Sequence, residues 1–248
     1  MVNIFNIFRK KTKDPSELWQ ETEMLLKPYE KPMWAPKVGN SEVSYLFSKF
    51  SGKAALVAKE TWPACKRCKS PMQLLVQLNA KQFPAEMKSP FGEGILQLFC
   101  CDQCSKSLED IKELPEISLV RVLDPKTQDL TGVESLPKTF STPEKPIDGW
   151  EESVDYPNTA KLKSLGCDLK VDQAALLTEK GFPKVQDKLM GWPNWVQGIK
   201  YPKCSQCGSA MKLVIQIAPQ DNLNIELPGG QCMHVIQCDK HKSEIVVV

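Results

Sequence analysis

Two short runs, LLVQL at 74–78 and LVIQI at 213–217, are apolar at every position but one, and in both the exception is a glutamine. A strand apolar on both faces belongs in a sheet covered on two sides. The same reading predicts strands at Met72–Leu78, Ile95–Cys100, Ser118–Leu123, Met211–Ile217, Met233–Gln237 and Glu244–Val248. Leu18, Thr22, Leu25 and Leu26 recur at helical spacing instead. Asp14 caps that helix, Pro15 takes its first position, Glu17 stands where a capping-box carboxylate reaches back, and Pro28 ends it. A second helix is expected over Asp172–Lys180, capped by Asp172 and closed by Gly181. Prolines and Gly39 make Lys31 to Asn40 an extended connection, and residues 1–13 read as an arm. From Asp124 to Pro157 no period is sustained, so this stretch reads as a linker, with Trp150 and Tyr156 marking a part that packs down.

The two glutamine strands sit in copies of one pattern, 139 residues apart: aromatic, proline, C-x-x-C, methionine, apolar strand. Comparing Lys49–Asn79 with Lys188–Ala218 without a gap gives ten identities in thirty-one positions, where average residue usage gives about two. Gly52 and Gly191, both among the identities, are the expected tight-turn positions. The expected fold is α+β and β-rich, with two tandem pseudo-repeats forming one globular unit, each carrying a zinc-knuckle hairpin. Its parts are an N-terminal arm and helix (1–44), a first half (45–123), a linker and short helix (124–187) and a second half (188–248).

With 248 residues and 42% hydrophobic content the chain can bury a sizeable core. Its 32 basic and 30 acidic residues leave a net charge of +2, without the basic footprint of a dedicated nucleic-acid binder. No apolar run reaches the roughly 18 residues of a membrane span, and no export signal is legible at the N-terminus, so a cytoplasmic protein without a membrane partner is expected. In such a setting ten cysteines read as metal ligands rather than a disulfide framework.

A strand leaving one C-x-x-C and a second strand returning to another pair bring four side chains to one end of a hairpin. The first set is Cys65, Cys68, Cys101 and Cys104; the second is Cys204, Cys207, Cys238 and His241. Four thiolates, or three with an imidazole, are what a closed structural zinc site asks for, and the histidine favours zinc over iron. Two structural zinc ions are therefore expected, with no small-molecule cofactor. Cys100 competes with Cys101, but aligning CDQC on CDKH places Cys100 opposite Gln237 and leaves it spare, with Cys167 and Cys232.

No Ser, His and Asp set stands out, and no acidic pair is marked by spacing, so no catalytic residue is assigned. His234, at a strand position equivalent to Gln97, reads as a satisfied structural histidine. Trp62, Trp192, Trp195 and Tyr201 pack around the metal turns or line a peptide groove; packing is the weightier reading. Gln77 and Gln216 need partners in their apolar strands.

The runs SKFSGKAALVAKETWPACKRCKSPMQLLVQLNA, GEGILQLFCC, SLVRV and KLMGWPNWVQGIKYPKCSQCGSAMKLVIQI resemble the YwqG-like family of bacterial proteins of unknown function. That family is similar in turn to the eukaryotic programmed-cell-death-two proteins of ribosome biogenesis. The resemblance implies a pseudo-duplicated, β-rich fold in which zinc is a scaffold. The expected function is binding of a protein or peptide, as a chaperone-like or toxin-neutralising immunity protein. An RNA-binding or RNA-processing role in ribosome assembly is the alternative, and an unrecognised hydrolase the third.

Overall fold

The computed structural model describes residues 14–40, 42–107, 111–133, 135–137, 142–195, 201–225 and 230–248. The expected arm over residues 1–13 lies outside them. In chain order the elements are helix α1 (Pro15–Leu26), strands β1 (Lys31–Val38), β2 (Lys49–Phe50), β3 (Ala55–Val57), β4 (Gln73–Asn79) and β5 (Ile95–Cys100), and short helices α2 (Asp102–Ser105) and α3 (Leu114–Ile117). There follow β6 (Ser118–Leu123), β7 (Leu130–Gly132), β8 (Lys145–Asp155), α4 (Thr159–Ser164), α5 (Val171–Glu179), β9 (Lys188–Met190), β10 (Lys212–Ile217), β11 (Met233–Gln237) and β12 (Ile245–Val247).

Ten of these strands form one antiparallel sheet in the order β12-β11-β10-β9-β1-β8-β2-β4-β5-β6. Its edge strands, β6 and β12, approach each other, so the sheet is nearly closed. The central pair is β1 with β8, running in register from Lys31 opposite Asp155 to Lys37 opposite Gly149. Neither strand was expected. The stretch read as a connection is β1, and the stretch read as a linker contains β8, the longest strand among the described residues. Pro32 and Pro36 are four residues apart, so their missing donors fall on one edge of β1, and β9 pairs with β1 only at Met33 and Trp34. On β8 only Pro146, Ile147 and Asp155 are buried, so its solvent-facing middle carries no alternation to read.

β1 pairs with β9, and β8 pairs with β2. Each long strand thus precedes one wing of the sheet in sequence and hydrogen-bonds to the other. One apolar cluster runs across the whole, taking in Leu74 and Phe99 from one wing and Val214 and Val235 from the other. A second cluster, with Leu26, Tyr156, Leu162 and Leu177, seats α1, α4 and α5, and Trp19 stacks on Phe182 at 6.1 Å within it.

The helix ends differ in part from expectation. Asp14 caps α1, its carboxylate accepting from the Ser16 amide at 2.8 Å. The buried face is Thr22 and Leu26, while Leu25 is exposed. α5 starts at Val171, so Lys170 rather than Asp172 is its N-cap; the Lys170 amide donates to Gln173 Oε1 at 3.1 Å. Among the described residues no helix is long and apolar enough to cross a membrane.

The glutamines of the two apolar strands are satisfied by matching partners. Gln77 Oε1 accepts from the Ala55 amide (2.9 Å) and Gln97 Nε2 (2.8 Å), and its Nε2 donates to the Tyr45 and Phe47 carbonyls. Gln216 Oε1 accepts from the Asn194 amide (2.8 Å) and faces His234 Nε2 (3.2 Å), and its Nε2 donates to the Lys184 and Gln186 carbonyls. Ala55 and Asn194, Tyr45 and Lys184, and Phe47 and Gln186 all stand 139 residues apart, as the glutamines do. The bulge between Leu74 and Val76 in β4 recurs between Leu213 and Ile215 in β10.

The ends of β8 carry a second matched set. Glu144, just before β8, accepts from Lys49 Nζ and from the Lys53 amide, each at 3.0 Å. Asp155, its last residue, accepts from Lys188 Nζ (2.7 Å) and from the Trp192 amide (2.8 Å). Both carboxylates press on a left-handed glycine. A Cβ on Gly52 (φ +78) would lie 2.2 Å from Glu144 Oε2, and one on Gly191 (φ +72) 2.7 Å from Asp155 Oδ2. These are the two glycines expected in tight turns, and no larger residue has room there.

Candidate metal centres

Each cluster is built at one end of an antiparallel strand pair. β4 and β5 pair with Gln73 opposite Cys100, so the turn before β4 and the chain leaving β5 meet. In that turn the Cys65 amide donates to the Ser70 carbonyl (2.8 Å) and the Lys69 amide to the Cys65 carbonyl (2.9 Å), with Ala64 bridged to Pro71. Cys101 follows β5 directly; its amide donates to the Ile117 carbonyl (2.9 Å), and Cys104 lies in α2. At the other end of the chain the Cys204 amide donates to the Ser209 carbonyl and the Gly208 amide to the Cys204 carbonyl, both at 2.9 Å, with Lys203 bridged to Ala210. Lys69 (φ +62) and Gly208 (φ +67) hold the same left-handed position. Glycine does so without a steric penalty, whereas lysine costs about 1 kcal/mol.

All eight ligand positions read from the sequence are brought together in their two fours. Cys65, Cys68, Cys101 and Cys104 form one group, and Cys204, Cys207, Cys238 and His241 the other, with the ligand atoms of each group within 4.8 Å of one another. In the first, Cys65 Sγ is 4.0 Å from Cys104 Sγ and Cys68 Sγ is 3.5 Å from Cys101 Sγ. In the second, His241 Nδ1 is 3.4 Å from Cys204 Sγ and 3.8 Å from Cys238 Sγ, and Cys207 Sγ is 3.7 Å from Cys238 Sγ. These are too long for disulfides, whose sulfurs sit at about 2.05 Å, and all ten cysteines are free. A tetrahedral ion at about 2.3 Å from each sulfur spaces the sulfurs about 3.8 Å apart, which both groups approach. The two clusters can each hold a metal ion through four donors.

The electrostatics of the two turns correspond. The Ser70 hydroxyl, then the Ser70 amide, pull the Cys68 thiol down to about 6, and Ser209 does the same to Cys207. Both are thus thiolates at neutral pH, the form that binds metal. Burial raises the Cys101 and Cys104 thiols in the first group, and the thiols of Cys238 and Cys207 raise the His241 imidazole in the second. Cys100 stands outside the cluster, buried in the main core, where desolvation pushes its thiol up to about 12. Cys167 and Cys232 are likewise in neither group.

The other singled-out residues are packed. His234 is buried against Gln216 and the Trp195 ring, whose centroid is 4.4 Å away. Trp192 is buried and donates to the Tyr29 carbonyl at 2.8 Å; Trp195 meets Tyr201 edge-on at 5.7 Å; Trp62 meets Phe99 edge-on at 5.9 Å and donates to the Met72 carbonyl. Trp62 thus ties the first cysteine turn to β5, while Trp192 ties the turn after β9 to Tyr29, ahead of β1. Sequence reasoning missed Glu144 and Asp155, which hold the glycine turns beside the wings, because both lie at the ends of an unrecognised strand.

The search of curated proteins found no match. The family model described as a domain of unknown function, DUF1963, matches residues 48–240, which take in seven of the eight ligand positions and stop one short of His241. Since the match covers well over half of the chain, this protein belongs to the DUF1963 family of domains of unknown function.

Proposed function

We propose that this protein is a non-catalytic polypeptide-binding protein, of the chaperone or immunity-protein kind, whose fold is pinned by two structural zinc ions. The observation that carries this reading is the closure of both clusters: four protein donors each leave no position for a reacting water or substrate. Metal in such a site stabilises the fold and leaves recognition to the surface. Three thiolates with one imidazole favour zinc over iron in the second cluster.

The hydrogen bonds that recur at an offset of 139 residues support two pseudo-repeats, each with a zinc knuckle. On this reading β1 and β8 are a swapped pair, each completing the opposite repeat. The likeness to the YwqG-like family, and through it to the programmed-cell-death-two proteins, fits the same plan, as does a reducing cytoplasm for ten free cysteines. The test is affinity capture with the tagged, metal-replete protein from its native host. A single polypeptide retained across salt and detergent washes is expected; recovery of none overturns the reading.

A further inference from the structure

A cleft of about 640 Å³ opens beside the second cluster, between the 88–92 loop and the face formed by β1, β9 and β10. Its lining includes the apolar side chains of Pro32, Met190 and Leu213. Four lysines line it as well, Lys31, Lys88, Lys212 and Lys242, against one lining carboxylate, Asp239, which Lys212 already pairs. Lys242 donates to the neutral Pro90 carbonyl at 2.5 Å and ties the chain after His241 to the loop. Lys31 lies 3.5 Å from the centre of the Trp192 ring, a contact that neutralises no charge. Its ammonium is drawn down to about 8 by burial and then by the positive charge of Lys212 and Lys161, against a smaller pull upward from Asp155 and Asp239. The Ser89 hydroxyl in the cleft wall is buried and has no hydrogen-bond partner among the described residues.

Like charges gathered in a cleft that also has apolar lining disfavour the free protein and are relieved by a ligand with several negative groups and an apolar body. In a chain of net charge +2, this concentration is local rather than a spill-over of general basicity. We propose that the cleft binds an acidic segment of the polypeptide partner, carboxylates on the lysines and alternate apolar side chains on Pro32, Met190 and Leu213. This rests on the polypeptide-binding reading above and names the chemistry of its partner. Lysines supplied by four separate segments, β1, the 88–92 loop, β10 and the chain after His241, suit carboxylates spaced along a chain better than a single phosphate.

The test is fluorescence anisotropy with the full, metal-replete protein and a labelled peptide of alternating glutamate and leucine. A lysine and leucine peptide and a single-stranded oligoribonucleotide serve as the other two probes. The acidic peptide alone is expected to bind, more weakly as salt rises, and Lys31→Gln with Lys88→Glu should weaken it at least about tenfold. Lys163→Glu, on α4 and outside the cleft, should leave it unchanged, and unchanged melting temperature and metal content show that the variants fold. An acidic peptide that does not bind, or binds the double variant equally, overturns the assignment, as does tighter binding of the oligoribonucleotide. A host partner captured equally by wild type and double variant removes the cleft proposal while leaving the polypeptide reading intact.

Discussion

Lys188 Nζ lies 2.7 Å from Asp155 Oδ2 with both side chains wholly shielded from water, whereas the matching pair, Lys49 with Glu144, leaves its carboxylate 31% exposed. Asp155 also accepts from the Tyr156, Lys184 and Trp192 amides, so one carboxylate ties the end of β8 to the turn before β9 and the turn after it. Removing one member of a buried pair strands the other's charge. Asp155→Ala should therefore cost about 3–5 kcal/mol, and Glu144→Ala, which leaves a buried lysine at a site that water already reaches through the carboxylate, about 2 kcal/mol. Urea midpoints of the two variants check this; equal losses would show that burial does not set the difference.

His234 gives the protein a defined acid sensitivity. Burial, then the charge of Lys188, lowers its imidazole from 6.5 to about 3, so it stays neutral in the fold while the unfolded chain protonates it below 6.5. The stability it contributes is complete above pH 6.5 and is lost as pH falls toward 3. Between pH 7.5 and pH 5 the loss should be about 2 kcal/mol. His234→Gln should remove that increment, since Gln97 fills the matching position and donates to Gln77 as His234 faces Gln216. Stability curves of wild type and variant that run parallel from pH 7.5 to 5 would disprove the role.

Native mass spectrometry should find two zinc ions per chain. Cys65→Ser and Cys238→Ala should each lose one ion and lower the melting temperature sharply, because metal affinity at such sites is folding free energy. Cys100→Ala should keep both ions and lose only core packing, about 1 kcal/mol. A folded protein free of metal would sink the assignment, and equal melting temperatures for Cys100→Ala and Cys238→Ala would show the ligands misassigned.

Neither wing should fold alone. Residues 45–123 lack β8, and residues 188–248 lack β1, so each would expose a sheet edge and its share of the common core. Both fragments should give collapsed amide spectra even with zinc. A dispersed spectrum from either would show that the interlocked centre is dispensable.

Much of the outer sheet is legible along the chain. β5, β6 and β11 fall where their apolar runs place them, and β4 and β10 start one residue later than expected. The reason is local: every residue of β5 and β11 is buried, so composition alone marks the strand. The two donor clusters are legible for a related reason. C-x-x-C spacing fixes ligand geometry within one turn, and the repeat chose Cys101 over Cys100.

The centre of the sheet is not legible in this way. β1 carries two prolines, and the middle of β8 faces solvent, so each looks like a connection until its partner strand is present to satisfy its backbone. The charged ends of β8 and the lysines around the cleft come from segments far apart in sequence, and no local pattern relates them. The amino-acid sequence alone marks β4, β5, β10 and β11, whose residues are nearly all buried, and the eight side chains that can share metal, because apolar runs and ligand spacing act over a few residues. That the two wings are joined through β1 and β8, and where charge gathers, emerges only in the folded chain, because strand pairing there joins segments as distant as Met33 and Met190, or Phe50 and Lys145, and burial brings side chains of separate segments together.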